Sequence, residues 1–471
     1  MVFNSLTFLL FFALVLALHH LPLSWTWKKG QLLLASYLFY AAWNPPFTLL
    51  LLLSTVTDFH CAAAIHQSRS STGRRFWLLV SLGLNLGLLA IFKYGSFLLE
   101  NWTLLLAQFG IDFTPLAPDI ILPVGISFYT FQSLSYTLDV YRRQLKPWPS
   151  FLDFAMFVSF FPQLVAGPIV RAAEFLPQCV LPRRANPCQF SWGVTLLILG
   201  LVQKVILADL LLAPLSDRVF AAAFQAGWAD AWIGTLAFSG QIFFDFNGYS
   251  TCAIGTALCL GFVLPDNFRA PYGAIGFRDF WQRWHISLSS WLRDYLYIPL
   301  GGRSSRRGRT LVNLMLTMLI GGLWHGAAWS FVFWGGLHGL YLLVEHLLSP
   351  SFQASALSRS SLVRSSLALL TYGLLCLTWV FFRAEGFSAA WQLLLAMVSF
   401  QPATLISAGE ICQVLTLSLC LLAFHWYRRQ RSFEEVFASF PWQGRALLIV
   451  LSLLALLVSS GDDRAFIYFQ F

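Results

Sequence analysis

The segment FRDFWQRWHISLSSWLRDYLYIPLGG, residues 277–302, mixes charged and aromatic side chains within an otherwise apolar chain. A basic stretch, RSSRRGRT at 303–310, follows it, and an apolar run then ends in GGLWHG at 321–326. Two histidines flanked by tryptophan, His285 and His325, therefore stand at the two ends of one cationic hairpin. Unsatisfied polar groups are costly at membrane depth, so this pattern indicates a functional region.

Composition places the chain among polytopic membrane proteins. Of its 471 residues, 58% are hydrophobic and 11% are charged, whereas soluble domains carry about 25% charged residues. The formal net charge is +9, but lysine and arginine occur in short clusters between apolar runs, as the positive-inside rule predicts for cytoplasmic loops. We therefore attribute the basic character to membrane topology and not to nucleic-acid binding. The eight cysteines contain no CxxC pair. Cys252 and Cys259, seven residues apart in a helical run, are expected to be apolar packing residues on one helix face and not ligands or a disulfide.

The amino-terminal part of the chain sets the predicted topology. The apolar stretch 4–21 has no basic residue before it, so it is expected to be a retained first span. Lys28 and Lys29 follow, which predicts a cytoplasmic loop there and a periplasmic N-terminus. The basic cluster at 69–75 is also expected in the cytoplasm, so the prolines of Trp43–Pro46 should divide the apolar run between these loops into two short spans.

Apolar stretches predict helical segments over most of the remaining chain. They lie at about 31–43, 46–65, 76–93, 95–109, 120–140, 152–166, 190–212, 230–261, 311–325, 327–347, 365–383, 388–400, 409–427 and 445–460. Many are shorter than the roughly 20 residues that a full span needs. We therefore expect about eleven crossings together with re-entrant or interfacial helices.

Residues 277–300 do not have the composition of a spanning helix. Their charged residues alternate with aromatic and aliphatic ones at helical spacing, which predicts an amphipathic segment that lies in the interface or lines a cavity. His285 lies one turn from Trp281 and from Ser289 in this segment. The pattern supports a structural role in an aromatic belt as well as it supports catalysis.

His325 is the stronger candidate for chemistry. Glycines on both sides let other groups approach it closely, and an imidazole can take a proton from a hydroxyl near neutral pH and return it to a leaving group. This suits acyl transfer. His338, in GGLHG, is expected to form a hydrogen bond between packed helices. The three histidines are 40 and 13 residues apart, which matches no common zinc-ligand spacing, so no metal is expected.

The segment 277–302 followed by GGLWHG resembles the signature of the membrane-bound O-acyltransferase family, in its bacterial polysaccharide-acetylating branch. Supporting stretches are LPVGISFYTFQSLSYTLDVYRR at 122–143, FPQLVAGPI at 161–169, QIFFDFNGYS at 241–250, TWVFFRAE at 378–385 and FIYFQF at 466–471. The resemblance thus covers nearly the whole chain.

This resemblance implies one all-α domain over residues 1–471, with about eleven transmembrane helices and additional interfacial ones around a central funnel. It implies that the region 277–326 is the catalytic hairpin, with His325 as general base and His285 as the second marked histidine. One departure concerns the helical stretch GYST at 248–251: relatives usually have aspartate where this chain has Thr251. Any role of that missing carboxylate is therefore in doubt for this chain.

The resemblance also implies an enzyme of the bacterial inner membrane. It would take acetyl groups from cytoplasmic acetyl-CoA and pass them outward for O-acetylation of an exopolysaccharide, of alginate type or, as the second choice, of cellulose type. Its implied partners are a periplasmic SGNH-hydrolase-like acetyltransferase, a polysaccharide synthase or export complex and membrane lipids. Basic side chains suited to the phosphates of acetyl-CoA, although they serve equally well as topology determinants, are Arg303, Arg306, Arg307 and Arg309.

Two alternatives from other classes stay open. A transporter or export channel of a polysaccharide synthesis complex would need a continuous polar path and would tolerate loss of His325. A purely structural subunit of a synthase complex would keep the tryptophan-rich surfaces but would need neither histidine. The pair of tryptophan-flanked histidines around a cationic loop favours acyl transfer over both.

Overall fold

Helices make up the regular structure of this chain. The computed structural model describes residues 1, 3–113, 115, 121–303, 307–354, 360–459, 464 and 466, without the side chains of 307 and 350–354. No strand occurs among these residues. The predicted all-α class is confirmed.

The α-helices follow one another along nearly the whole described chain. The first ten are α1 Leu6–His20, α2 Trp25–Ala41, α3 Pro45–Gln67, α4 Ser71–Phe92, α5 Gly95–Gln108, α6 Ile126–Tyr141, α7 Phe151–Ser159, α8 Phe161–Leu164, α9 Ala172–Phe175 and α10 Pro187–Leu201. They continue as α11 Ala213–Ala221, α12 Trp228–Cys259, α13 Phe277–Trp281, α14 Ile286–Leu292, α15 Arg307–His325, α16 Trp329–Ala354, α17 Ser361–Arg383, α18 Gly386–Ala396, α19 Ala408–Tyr427, α20 Phe433–Ser439 and α21 Trp442–Val458. π-helical turns at Val202–Leu212 and Arg293–Tyr297 follow α10 and α14.

Several helices are suited to crossing a membrane. By length and composition, six helices of the described chain are long and apolar enough, or seven if the pair α20 and α21, bent by 114°, forms one span. The six are Pro45–Gln67, Ser71–Phe92, Pro187–Ala221, Trp329–Ser349, Ser361–Arg383 and Ala408–Tyr427. The protein is thus a multi-pass membrane protein, as predicted, whereas the count of about eleven crossings and the central funnel stay predictions.

The chain forms two units. The first contains Met1–Val194 and Ala253–Pro265, and the second contains Thr195–Cys252 and Asp266–Phe471. Both candidate histidines lie in the second unit. The expectation of a single domain stays a prediction.

Two sequence-based boundaries in the first unit can be compared with the structure. The predicted break at Trp43–Pro46 is confirmed, because α2 ends at Ala41 and α3 begins at Pro45, where proline's missing N–H costs nothing. The predicted continuous segment 152–166 is wrong, because Phe160 leaves the helical region and separates α7 from α8. Pro162 cannot donate the hydrogen bond that a continuous helix would need there.

The predicted loop at Lys28 and Lys29 is also wrong. Both lysines lie in the first turns of α2, and Lys29 is buried, with its ammonium group paired to the carboxylate of Asp153 on α7. A buried ammonium group needs such a partner because its desolvation is otherwise too costly. Lys29 therefore joins two helices, so it no longer supports the predicted periplasmic N-terminus, which stays a prediction.

In the second unit, glycines bring α12 close to the preceding helical run. A Cβ atom at Gly240 would lie 2.7 Å from the Leu212 side chain, and one at Gly234 would lie 2.6 Å from Val219. A Cβ at Gly248 would lie 2.8 Å from the carbonyl oxygen of Gly200. Small residues allow such close backbone approach between membrane helices. This packing fixes the position of α12, which carries residues of the candidate site.

Candidate functional site

His325 is the last residue of α15, and its place depends on close packing of α15 against α16. A Cβ atom at Gly322 would lie 2.3 Å from the carbonyl oxygen of Phe331, and one at Gly335 would lie 2.2 Å from that of Met318. Only glycine permits this approach at both positions. The helix therefore delivers the His325 ring into the interior, where the residue is 3% exposed.

His285 is held at a break in the segment predicted to be one amphipathic helix. α13 ends at Trp281, and His285 has φ +43°, in the left-handed region, directly before α14. A left-handed residue cannot continue a right-handed helix. The expectation of one regular helical spacing through His285 is therefore wrong, and the kink turns the imidazole inward, where the residue is fully buried.

The two histidines meet inside the second unit. Their ring centroids are 6.4 Å apart, and the Trp324 ring lies 5.9 Å from His285 and 5.1 Å from His325. Trp334 and Phe382 pack on His325 at 5.0 and 5.5 Å. Residues 40 positions apart in the chain thus form one aromatic-walled imidazole pair. Their catalytic role stays a prediction.

Phe246 of α12 closes the other side of His285, with ring centroids 4.6 Å apart. Phe466, the described residue of the FIYFQF stretch, packs on Phe246 at 5.5 Å, and residues 467–471 lie outside the described chain. Aromatic contacts of this kind exclude water and fix ring orientation. The surroundings of His285 therefore include α12 as well as the segment 277–326.

His338 has the interhelical hydrogen-bonding role that its sequence context predicts. Its Nε2 lies 3.2 Å from the Thr378 hydroxyl oxygen, and that hydroxyl donates its own proton to the Leu375 carbonyl oxygen at 2.7 Å. The imidazole must therefore donate from Nε2, because the hydroxyl proton is already used. Trp334 and Trp281 enclose the ring at 4.6 and 5.1 Å.

Of the predicted cofactor-binding arginines, the two with described side chains, Arg303 and Arg309, lie away from the histidines. Arg303 and Arg309 are exposed, and Arg309 Nη2 donates to the Leu300 carbonyl oxygen at 3.4 Å. Arg306 lies outside the described residues, as does the side chain of Arg307. α15 has 19 residues, so its arginine end and its histidine end are about 27 Å apart at about 1.5 Å per residue.

Charges of the amphipathic segment have structural partners. Asp279 accepts hydrogen bonds from Arg283 Nε at 2.7 Å, Arg429 Nη2 at 2.8 Å and the Ile275 amide at 2.9 Å. Burial alone would raise the pKa of the Asp279 carboxyl, but the bonds from Arg429, the Ile275 amide and Arg283 outweigh it and lower that pKa. Glu345 caps α13 by accepting from the Phe277 and Arg278 amides at 2.6 and 3.0 Å.

An ion cluster that includes a residue of α12 was not predicted from the sequence. Lys204, on the first π-helical turn, pairs with Asp245 at 2.5 Å and with Asp209 at 3.0 Å. A lysine inside the apolar run LVQKVILADLLL was the signal that could have revealed it. Thr251, where the resemblance leads us to expect an aspartate, donates to the Asn247 carbonyl oxygen at 2.6 Å within its own helix.

Asn267, which follows α12 and is 1% exposed, was not predicted from the sequence either. Its Oδ1 lies 3.2 Å from His285 Nδ1, and its backbone oxygen accepts from the Ile286 amide at 2.9 Å. No pattern marks an asparagine in a connecting segment. Within the described part of the chain, no three His, Cys, Asp or Glu side chains are grouped so that they could hold a metal ion.

Comparisons with known proteins bear on this site. The model of the membrane-bound O-acyltransferase family matches residues 138–366, which include both histidines. The chain is 38% identical over 448 residues to a probable alginate O-acetylase of Azotobacter vinelandii, covering 94% of this chain and 87% of that protein. It is 36% identical over 497 residues to a probable alginate O-acetylase of Pseudomonas putida, with 100% of each chain covered. It is 38% identical over 403 residues to a peptidoglycan O-acetyltransferase of Helicobacter pylori, covering 80% of this chain and 75% of that protein.

Proposed function

The chain belongs to the membrane-bound O-acyltransferase family and is an O-acyltransferase; from this premise we propose that it moves acetyl groups from cytoplasmic acetyl-CoA across the bacterial inner membrane for O-acetylation of an exopolysaccharide. The observation that carries the proposal is the pair of buried imidazoles 6.4 Å apart, with His325 at the end of α15 in a multi-pass membrane protein. Buried ionisable groups in membrane proteins mark functional paths.

The acceptor class follows from the relatives. Two of them are named for O-acetylation of alginate and one for O-acetylation of peptidoglycan, and both of these polymers contain polysaccharide chains. Alginate-type or cellulose-type polymers are the proposed final acceptors for this chain. A periplasmic SGNH-hydrolase-like acetyltransferase would place the acetyl group on the polymer, and a polysaccharide synthase or export complex would be its neighbour.

The proposed chemistry uses His325 as general base. An imidazole nitrogen of His325 takes the proton of an acceptor hydroxyl while the hydroxyl oxygen forms a bond to the acetyl carbonyl carbon. The carbon–sulfur bond of the thioester breaks, and the proton passes to the departing thiolate. Trp324 and Phe382 pack on the ring and hold water away from it.

Binding of the donor is proposed at the basic hairpin. Arg303 and Arg309 are exposed at the end of α15 remote from His325, where a phosphate-bearing donor has access. Arginine binds phosphate through paired N–H groups. With Arg306 and Arg307 in the same stretch, the charge there is concentrated enough to attract the donor's phosphates.

The test is transfer of radiolabelled acetyl groups by the purified full chain in lipid nanodiscs, comparing wild type with His325→Ala. General base catalysis contributes about 100- to 10,000-fold, so His325→Ala should lose at least about 100-fold in rate while still folding and inserting. His66→Ala is the matched control, because His66 is exposed at the end of α3 and should behave as wild type.

Equal transfer by wild type and His325→Ala would overturn the role of His325. Flux of a polysaccharide through nanodisc or vesicle membranes without any acetyl donor would favour the export-channel alternative. If wild type transfers nothing alone, the assay is repeated with the periplasmic acetyltransferase and a polysaccharide present. Continued inactivity there would refute the proposed donor and acceptor.

A further inference from the structure

We infer that Asn267 is a positioning residue that holds His285 as the neutral tautomer with its proton on Nδ1 and its lone pair on Nε2. This inference rests on the proposed function for its consequence in catalysis. Its structural part stands on hydrogen-bond geometry within the second unit. Asn267 and His285 are both buried, at 1% and 0% exposure.

The orientation of the Asn267 amide follows from a partner that can only donate. The backbone amide of Ser287 lies 3.3 Å from one terminal atom of Asn267, so that atom must be the carbonyl oxygen Oδ1. The Ser287 hydroxyl donates to the same oxygen at 2.8 Å. On the other side, Nδ2 of Asn267 donates to the Ser250 hydroxyl oxygen at 3.3 Å, which agrees with this orientation.

The tautomer of His285 follows in turn. Its Nδ1 lies 3.2 Å from the same Oδ1, which can only accept, so Nδ1 must carry the proton. A neutral imidazole has one proton, which leaves Nε2 as the nitrogen that can accept. His338 has the opposite tautomer, because its Nε2 must donate to Thr378. Two buried histidines of one chain are thus set to different protonation patterns by their partners.

Asn267 also fixes the backbone that aims this ring. Its carbonyl oxygen accepts from the Ile286 amide at 2.9 Å, directly after the left-handed His285. Among the described residues, the rings in contact with His285 include the uncharged Phe246 and Trp324 and the titratable His325 at 6.4 Å. With the ring fixed, Nε2 of His285 serves as acceptor for a proton or N–H group on the reaction path beside His325.

Two variants separate positioning from mere structural support. Asn267→Leu keeps the size but removes the acceptor, so His285 loses its tautomer preference. One hydrogen bond of about 1.4 kcal/mol corresponds to about tenfold in rate, so acetyl transfer should fall about tenfold in kcat with an unchanged KM for acetyl-CoA. Asn267→Asp keeps an acceptor for Nδ1–H and should retain activity, with the acid limb of the pH–rate profile at higher pH, because a carboxylate favours the imidazolium.

The direct readout is the nitrogen NMR spectrum of the full chain labelled at histidine nitrogens, with His285 assigned by the signal missing in His285→Gln. Wild type and Asn267→Asp should show the proton on Nδ1, Asn267→Leu should show a mixture, and His338 provides the internal reference for the opposite tautomer. Asn85→Leu, at another buried asparagine, should lower Tm without changing the His285 signals.

A wild-type spectrum with the His285 proton on Nε2 would overturn the inference. So would equal losses in Asn267→Asp and Asn267→Leu with an unchanged pH–rate profile, since these indicate structural support alone. The spectrum needs no turnover. A chain without acetyl transfer but with the proton on Nδ1 would thus refute the proposed function and leave the tautomer assignment intact.

Discussion

The sharpest prediction concerns the glycine contact that places His325. Gly335→Ala would put a Cβ atom 2.2 Å from the Met318 carbonyl oxygen, whereas real Cβ atoms essentially never approach closer than 3.0 Å. α15 and α16 would therefore have to separate by at least about 0.8 Å. The neighbouring Gly336→Ala is the matched control, because its Cβ would meet Leu319 at an ordinary 3.4 Å.

The magnitude follows from comparing the two variants. Replacing a glycine inside a helix by alanine adds about 0.5–1 kcal/mol to the free energy of unfolding of each variant. This gain cancels when the two variants are compared with each other. Overpacking costs about 1–3 kcal/mol, so the free energy of unfolding of Gly335→Ala should be lower than that of Gly336→Ala by this amount. The Tm of Gly335→Ala should be lower as a result. A displacement near 1 Å at catalytic groups costs about 100-fold, so acetyl transfer should fall about 10- to 100-fold in Gly335→Ala alone.

Thermal unfolding in detergent and acetyl transfer in nanodiscs measure the two effects. Helix separation should lower both the Tm and the rate of Gly335→Ala. If the two alanine variants had equal Tm and equal rates, the close approach of α15 and α16 would not position His325. A lower Tm with an unchanged rate would confine the effect to stability and contradict the link to the site.

Two further predictions concern hydrogen-bonded carboxylates, the half-buried Asp279 and the buried Asp230. Asp279→Asn should lower Tm near neutral pH, because the pKa of the Asp279 carboxyl is lowered in the folded protein. The ionised carboxylate therefore stabilises the fold at pH values above its unfolded-state pKa of about 3.9, and this stabilisation is lost as the pH falls through the lower folded-state pKa. A difference from wild type that does not shrink below about pH 4 would contradict this. Asp230→Asn should lower the free energy of unfolding by about 3 kcal/mol. The reason is that the Asp230 carboxylate oxygens accept hydrogen bonds at 2.8–3.2 Å from the backbone amides of Gly227, Thr404, Leu405 and Ile406. Asp266→Asn is the control, because Asp266 lies in an exposed ion pair, and it should change the free energy of unfolding by less than about 0.5 kcal/mol. Equal losses of stability in Asp230→Asn and Asp266→Asn would refute the importance of the amide contacts.

The class of the protein could be predicted from local sequence because composition acts through the solvent. A chain with 58% hydrophobic residues cannot expose its apolar runs to water, and backbone groups in lipid must be satisfied within helices. The break at Trp43–Pro46 was equally local, since proline acts on its own turn. The glycine and tryptophan context of His325 made it the stronger candidate for chemistry, and the structure buries that residue. Its catalytic role stays a prediction.

Other features depended on partners distant in the chain. Lys29 had the sequence context of a loop lysine, and only Asp153, 124 residues away, made it a buried helix residue. The break at His285 has a left-handed backbone at a residue that is not glycine, so the sequence contained no glycine to indicate it. The positive charge of residues 303–310 could be read from the sequence, but the distance between its arginines and the histidines could not.

The sequence by itself determined that this is an all-α membrane protein with histidines among glycine and tryptophan, because hydropathy and backbone preference are properties of neighbouring residues. Only the tertiary structure decided that His285 and His325 lie 6.4 Å apart, and that Asn267 orients one of them. The physical reason is that ring contacts and hydrogen bonds depend on angstrom distances between separate segments. Those distances are set by how closely helices such as α15 and α16 can approach, which one Cβ atom is enough to change.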